Sequence, residues 1–195
     1  RPLERYAMVM SAEHTAKLNL LTLVEGMTQG MASRLSDERI AELCKFMETS
    51  LRAMHWLVGL FWRVQHSDER LFYTAYLDFQ ASVDSMLNRR YNQAKWDISQ
   101  CAEKVMKGIL QIKYEEFART HNLSKLLNGF PVNDTLSYQP LLNEIYCDSK
   151  VRYSEEDVTR EGAIQSSIAI LQFLVKLSTE KEIAKTLKAD SKNRK

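Results

Sequence analysis

"RRYNQAKWDISQCAEKVMKGILQIK", residues 89–113, is the stretch on which the fold turns. Tyr91, Ala94, Ile98, Cys101, Val105, Ile109 and Ile112 follow one another at steps of three or four. That spacing is one face of an α-helix. The stretch has no proline and a single glycine, Gly108, so nothing in it forces a break. The expected helix runs from about 91 to 114. Only "NRRY" (88–91) separates it from another apolar-periodic run. A connection that short makes two helices antiparallel neighbours. This pair is the expected centre of the core, because each stripe gains free energy by leaving water.

The same period extends in both directions. Helices are expected at about 12–31, 37–64, 68–88, 122–128, 137–146 and 155–186. Ser11 is the expected cap of the first, with Leu20, Val24, Met27 and Met31 inward. In the second, Ile40, Leu43, Met47, Leu51, Met54, Val58 and Phe61 trace one stripe. In the third, Phe72, Ala75, Phe79, Val83 and Met86 do so. Ala163, Ile164, Ile168, Leu171 and Leu174 or Val175 mark the last. "SDER" occurs at 36–39 and 67–70, each time before an apolar-periodic run. Its serine suits a helix cap, and its acids suit the positive end of the helix dipole. "GFPVNDTLS" (129–137) and "CDSKVRYSEED" (147–157) read as polar connections. β-Branched alternation is nearly absent, and the chain reads as all-α.

Bulk composition agrees. The chain has 195 residues, 45% hydrophobic and 27% charged, with six glycines and three prolines. So few turn residues favour long helices. The net charge of +2 does not suit a protein built mainly to coat nucleic acid. Cys44, Cys101 and Cys147 are scattered and form no metal-binding spacing. They fit a reducing, cytoplasmic setting, and no metal or cofactor is expected. The run "WLVGLFW" (56–62) is far shorter than the roughly 20 residues that span a bilayer. Trp56, Phe61, Trp62 and Phe72 read as core, or as a face for a partner.

Chemistry concentrates in "ARTHNLSKLL" (118–127). Arg119, His121 and Asn122 precede a helical pattern, and a helix start favours an anion. Arg119, with Arg89 or Arg90 from the tight turn, would complete a phosphate clamp. The plainer reading is that His121 pins the loop and Asn122 caps the helix. Glu103 and Lys107 stand one turn apart and read as a surface pair. No glycine-rich phosphate loop, paired-carboxylate set or Ser/His/Asp arrangement stands out.

Three segments together carry a family resemblance. Tyr91, Ala94, Trp96, Gln100, Ala102, Glu103, Lys104 and Lys107 resemble the second helix of HEPN domains, the higher eukaryote and prokaryote nucleotide-binding fold. "RTHNLSKLL" (119–127) resembles the family's Thr-His-Asp-Leu turn, with Asn122 where aspartate is usual. "VRYSEEDVTREGAIQSSIAILQFL" (151–174) resembles its Arg-Tyr segment and last helix. The resemblance covers about 68–178. It implies an up-and-down helical bundle that often dimerises. It implies one of three roles: RNA-cutting toxin or defence ribonuclease, non-catalytic partner of a nucleotidyltransferase-type protein, or nucleotide-binding module. It places Glu103 and Lys104 at a dimer cleft and offers Arg152 and Tyr153 as ligand contacts, with plain packing as their other reading.

The family's ribonucleases carry Arg-x(4–6)-His. None of His14, His55, His66 or His121 has an arginine at that spacing. The expectation is therefore a non-catalytic HEPN-like protein of three parts: a helical extension over 1–66, a bundle over 67–186, and a flexible basic tail over 187–195. It would form a homodimer and bind nucleotide, RNA or a protein partner near His121. The alternatives are a ribonuclease using Arg119 and His121, and a structural adaptor.

Overall fold

A computed structural model describes residues 6–10, 15–19, 24–63, 70–153 and 155–193. The side chains of 6–10, 15–19, 63, 152 and 189–193 lie outside the described set. The chain divides into two compact units, Arg1–Arg52 and Ala53–Lys195.

The first unit departs from expectation. In place of a helix over 12–31, strands β1 (Tyr6–Met10) and β2 (Thr15–Asn19) pair antiparallel, Tyr6 opposite Asn19 and Met10 opposite Thr15. "TAKLN" alternates polar and apolar residues, a period-two pattern that short apolar steps hid. Ser11 and Leu20 lie outside the described residues. A four-residue helix, α1 (Gln29–Ala32), follows, capped by Thr28, whose hydroxyl accepts the Met31 N–H at 3.2 Å.

Helix α2 (Asp37–Arg63) begins as read: Ser36 Oγ accepts the Arg39 N–H at 3.3 Å. The second "SDER" serine, Ser67, lies outside the described residues. The unit boundary falls inside α2. In its second half the buried side is Ala53, Leu57 and Leu60, whereas Leu51 is 45% exposed. "WLVGLFW" is apolar almost all round, so periodicity alone could not choose its inward face.

The bundle is built on two long helices, α3 (Arg70–Leu87) and α4 (Tyr91–Tyr114), packed side by side as the short connection requires. The turn between them holds Arg89 at φ 58°, the left-handed region. Ala94, Ile98, Cys101, Val105 and Ile109 of α4 are buried as expected, and so is nearly every other residue from 97 to 110. α4 is thus wrapped by its neighbours. On α3, Phe72 and Ala75 are buried, but Val83 is 44% exposed and Ser82 and Ser85 take the inner positions.

Short helices close the sides of α4. They are α5 (Leu123–Leu127), α6 (Gln139–Ile145, after a 3-10 turn at Leu136–Tyr138) and α7 (Ser149–Arg152). The single last helix expected over 155–186 is two, α8 (Arg160–Thr179) and α9 (Lys181–Asn193), broken at Glu180 with extended backbone. Glu180 Oε1 accepts the hydroxyl of the buried Tyr138 at 2.8 Å, and that tether holds the break. The stretch expected as a tail from 187 continues as helix to Asn193. The core of the second unit joins Ala53, Leu57 and Leu60 to Phe72, most of α4, Tyr138, Phe173 and Leu177.

Candidate functional site around Glu103 and His121

Three elements build the site. α4 supplies Glu103 and Lys107, one turn apart. It ends at Glu115, whose left-handed φ of 62° turns the chain back. The loop then brings Phe117, Arg119 and His121 up to α5. Glu103 and Lys107 are not the expected surface pair. Their side chains are only 6% and 10% exposed, and Lys107 Nζ donates to Glu103 Oε1 at 2.8 Å. Lys107 also stands 5.4 Å from the centre of the Phe117 ring. A buried carboxylate and ammonium hold together because neither can afford isolation from water.

His121 completes the group. Its Nδ1 lies 3.1 Å from both Glu103 oxygens. An ionised carboxylate only accepts, so Nδ1 carries the proton and donates. Nε2 is left as the outward nitrogen, on a side chain 82% exposed. Lys104, the next residue on α4, turns to α3 and donates to Asp78 Oδ2 at 2.5 Å. Burial raises the Asp78 carboxyl above its ordinary range, against the pull of Lys104 and with a further push from the Glu103 charge. Two acids and two lysines therefore form one interacting group inside the α3–α4 pair.

Two N–H groups around the start of α5 are already bonded. Asn122 Oδ1 accepts the Lys125 N–H at 3.0 Å, and the Asn122 N–H donates to Thr120 Oγ1 at 3.1 Å. α5 is only five residues long. Arg119, His121 and Lys125 are all exposed.

Arg90 sits elsewhere. It caps the start of α4 about 20 Å along the axis from Glu103, at about 1.5 Å per residue. Arg89, Arg90, Val151 and Asp157 line a groove of about 570 Å³ at that end. Asn92 ties its wall, accepting the Val158 N–H at 2.7 Å. Tyr153 follows α7 and is 70% exposed; the Arg152 side chain lies outside the described residues. The structure brings Glu103, His121 and Asn122 together and separates Arg90 from them. Lys107 and Phe117 are the members that sequence reasoning missed as site residues. Nothing in the sequence singled out Lys107 as buried, because Glu103, Lys104 and Gln111, its neighbours one turn away, are polar.

Among the described residues no three His, Cys, Asp or Glu side chains are grouped to hold a metal, and no helix is long and apolar enough to cross a membrane. No curated protein and no solved structure matches the chain. A family model, HEPN domain, matches residues 69–183, which takes in α3 through the start of α9. With that match over more than half its length, on a helical bundle of the expected order, the chain belongs to the HEPN domain family.

Proposed function

We propose that this HEPN bundle is a non-catalytic binding protein that takes a phosphate-bearing ligand, nucleotide or RNA, on the surface formed by Arg119, His121 and Lys125. One observation carries the reading: a buried carboxylate, itself held by Lys107, fixes His121 with Nε2 outward. An imidazole oriented in advance loses little freedom when it meets a ligand. Exposed Arg119 supplies a planar fork suited to phosphate oxygens. The test is fluorescence polarisation with a labelled single-stranded RNA and with ATP. Binding should weaken as salt rises and weaken roughly tenfold in Arg119→Ala and in His121→Ala. Absence of binding to either probe at low salt would remove this reading and favour a structural adaptor.

A second reading, RNA cleavage, is favoured by the same Glu103–His121 bond, because a carboxylate that sets an imidazole's tautomer also prepares it for proton transfer. It predicts cutting of RNA by the purified chain that His121→Ala stops. We also propose a homodimer, supported by the exposed apolar residues Tyr73, Leu77, Val83 and Leu87 on α3. Light scattering gives the answer directly.

A further inference from the structure

Helix α2 changes character at the unit boundary. Beyond it, Ala53, Leu57 and Leu60 are buried. Before it, from Asp37 to Arg52, no residue is buried. Yet this first half carries an apolar stripe. Ile40, Leu43 and Met47 step by three and four, with Ser50 next in the series. At about 100° per residue, Cys44 and Leu51 flank the stripe on one side and Phe46 on the other. Ile40, Leu43, Cys44 and Met47 are half-buried, while Phe46 is 47% and Leu51 45% exposed. A helix in a protein is stabilised mostly by packing such a face. A contiguous apolar seam left this open marks an interaction surface.

The charges select the partner and its direction. Asp37 and Glu38 open this half and Arg52 closes it. Parallel pairing of two copies would set the acids beside their own duplicates and Arg52 beside Arg52. Antiparallel pairing sets the acidic opening of each copy against Arg52 of the other. Arg52 can make that exchange at little cost. Its contact with Glu48, at 3.4 Å, joins two exposed side chains, and such a pair is worth little.

The apolar register agrees with the same direction. A twofold axis beside residue 45 lays Leu43 on Met47 of the second copy, and Met47 on its Leu43. Ile40 then meets the second copy's small Ser50, with Leu51 beside it. The exposed Phe46 meets its own duplicate on one flank, and Cys44 meets its duplicate on the other. A pairing about a twofold axis closes with two copies.

We infer that the first half of α2 is a self-association face, on which two copies of this chain pair antiparallel along residues 37–52. The face lies ahead of residues 69–183, which carry the family match. It depends neither on the ligand surface near His121 nor on the exposed residues of α3.

Cys44 supplies the reporter, since Cys101 and Cys147 are buried. The full chain is treated with a short bismaleimide, and the product is mapped by mass. It should be a covalent dimer linked Cys44 to Cys44, absent in Cys44→Ser and kept in Leu77→Glu on α3. Sedimentation equilibrium supplies the second measurement. Leu43→Glu should weaken association by at least roughly tenfold, and so should Asp37→Arg with Glu38→Arg. Adding Arg52→Glu to the latter chain should restore it, which a merely misfolded variant would not do. The proposal is overturned if the parent chain sediments as a monomer, if no Cys44–Cys44 link forms, if Leu77→Glu abolishes that link, or if Arg52→Glu brings no recovery.

Discussion

The ring of Phe72 on α3 occupies the space that a side chain on Gly108 of α4 would need. A Cβ at Gly108 would stand 2.6 Å from Phe72 Cε1 and 2.8 Å from Cζ. Glycine here lets the two central helices close, and Phe72 is 1% exposed with nowhere to move. Gly108→Ala should therefore destabilise the fold: overpacking costs about 1–3 kcal/mol, and better helix propensity returns at most about 1 kcal/mol. Gly59→Ala, in open space, should go the other way by up to about 1 kcal/mol. Thermal melts of the two variants should move in opposite directions.

Glu103→Gln should be among the costlier single changes. It leaves the Lys107 ammonium buried without its counter-charge, and breaking such a pair costs about 3–5 kcal/mol. Adding Lys107→Met to the same chain should recover much of the loss, because the stranded charge is then gone. Urea denaturation of both variants measures this. A single variant as stable as the parent would show that the pair does not hold the site.

Asp97 makes a pH prediction. Burial raises its carboxyl above the ordinary aspartate range, although Gln93 donates to it at 2.6 Å. The folded chain therefore holds this proton more tightly than the unfolded chain does. Its contribution is fully present below the unfolded value of about 3.9 and is lost as pH rises through the higher folded value. Asp97→Asn should therefore raise Tm at pH 7, and the advantage should shrink as pH falls toward 4. Melting curves across that range test the sign.

The thiols should separate by accessibility. Burial pushes the Cys147 thiol up to about 11 and drives that of Cys101 well above the ordinary range. The reactive species is the thiolate. At pH 8 the folded protein should release colour from a disulfide reagent quickly at half-buried Cys44 alone, and at Cys101 and Cys147 only after unfolding. Mass mapping of early adducts identifies the residue.

His121→Ala should barely change stability, within about 0.5 kcal/mol, because the ring is largely exposed. Its effect should appear in ligand binding. A large loss of stability would instead mean that His121 serves the loop.

Much of this was legible in the order of residues. The bounds of α4, the tight turn before it and the cap at Asn122 all follow from neighbours within a few positions. So does the family, whose pattern is carried on those same helices. The faces were harder. Ser82 and Ser85 lie inside while Val83 lies out, and Leu51 is exposed where its stripe pointed inward. Which side of a helix is buried depends on what packs against it.

The sequence by itself determined α2, α3 and α4, because helical period, breakers and caps act over one or two turns of chain. Only the tertiary structure decided that Glu103 and Lys107 are buried, that His121 swings back onto them from 18 positions away, and that Arg90 stands apart. It also decided that residues 15–19 pair as a strand. Each of these rests on a contact between distant parts of the chain, and the free energy of burying a charge or pairing a strand is set by the partner that arrives there.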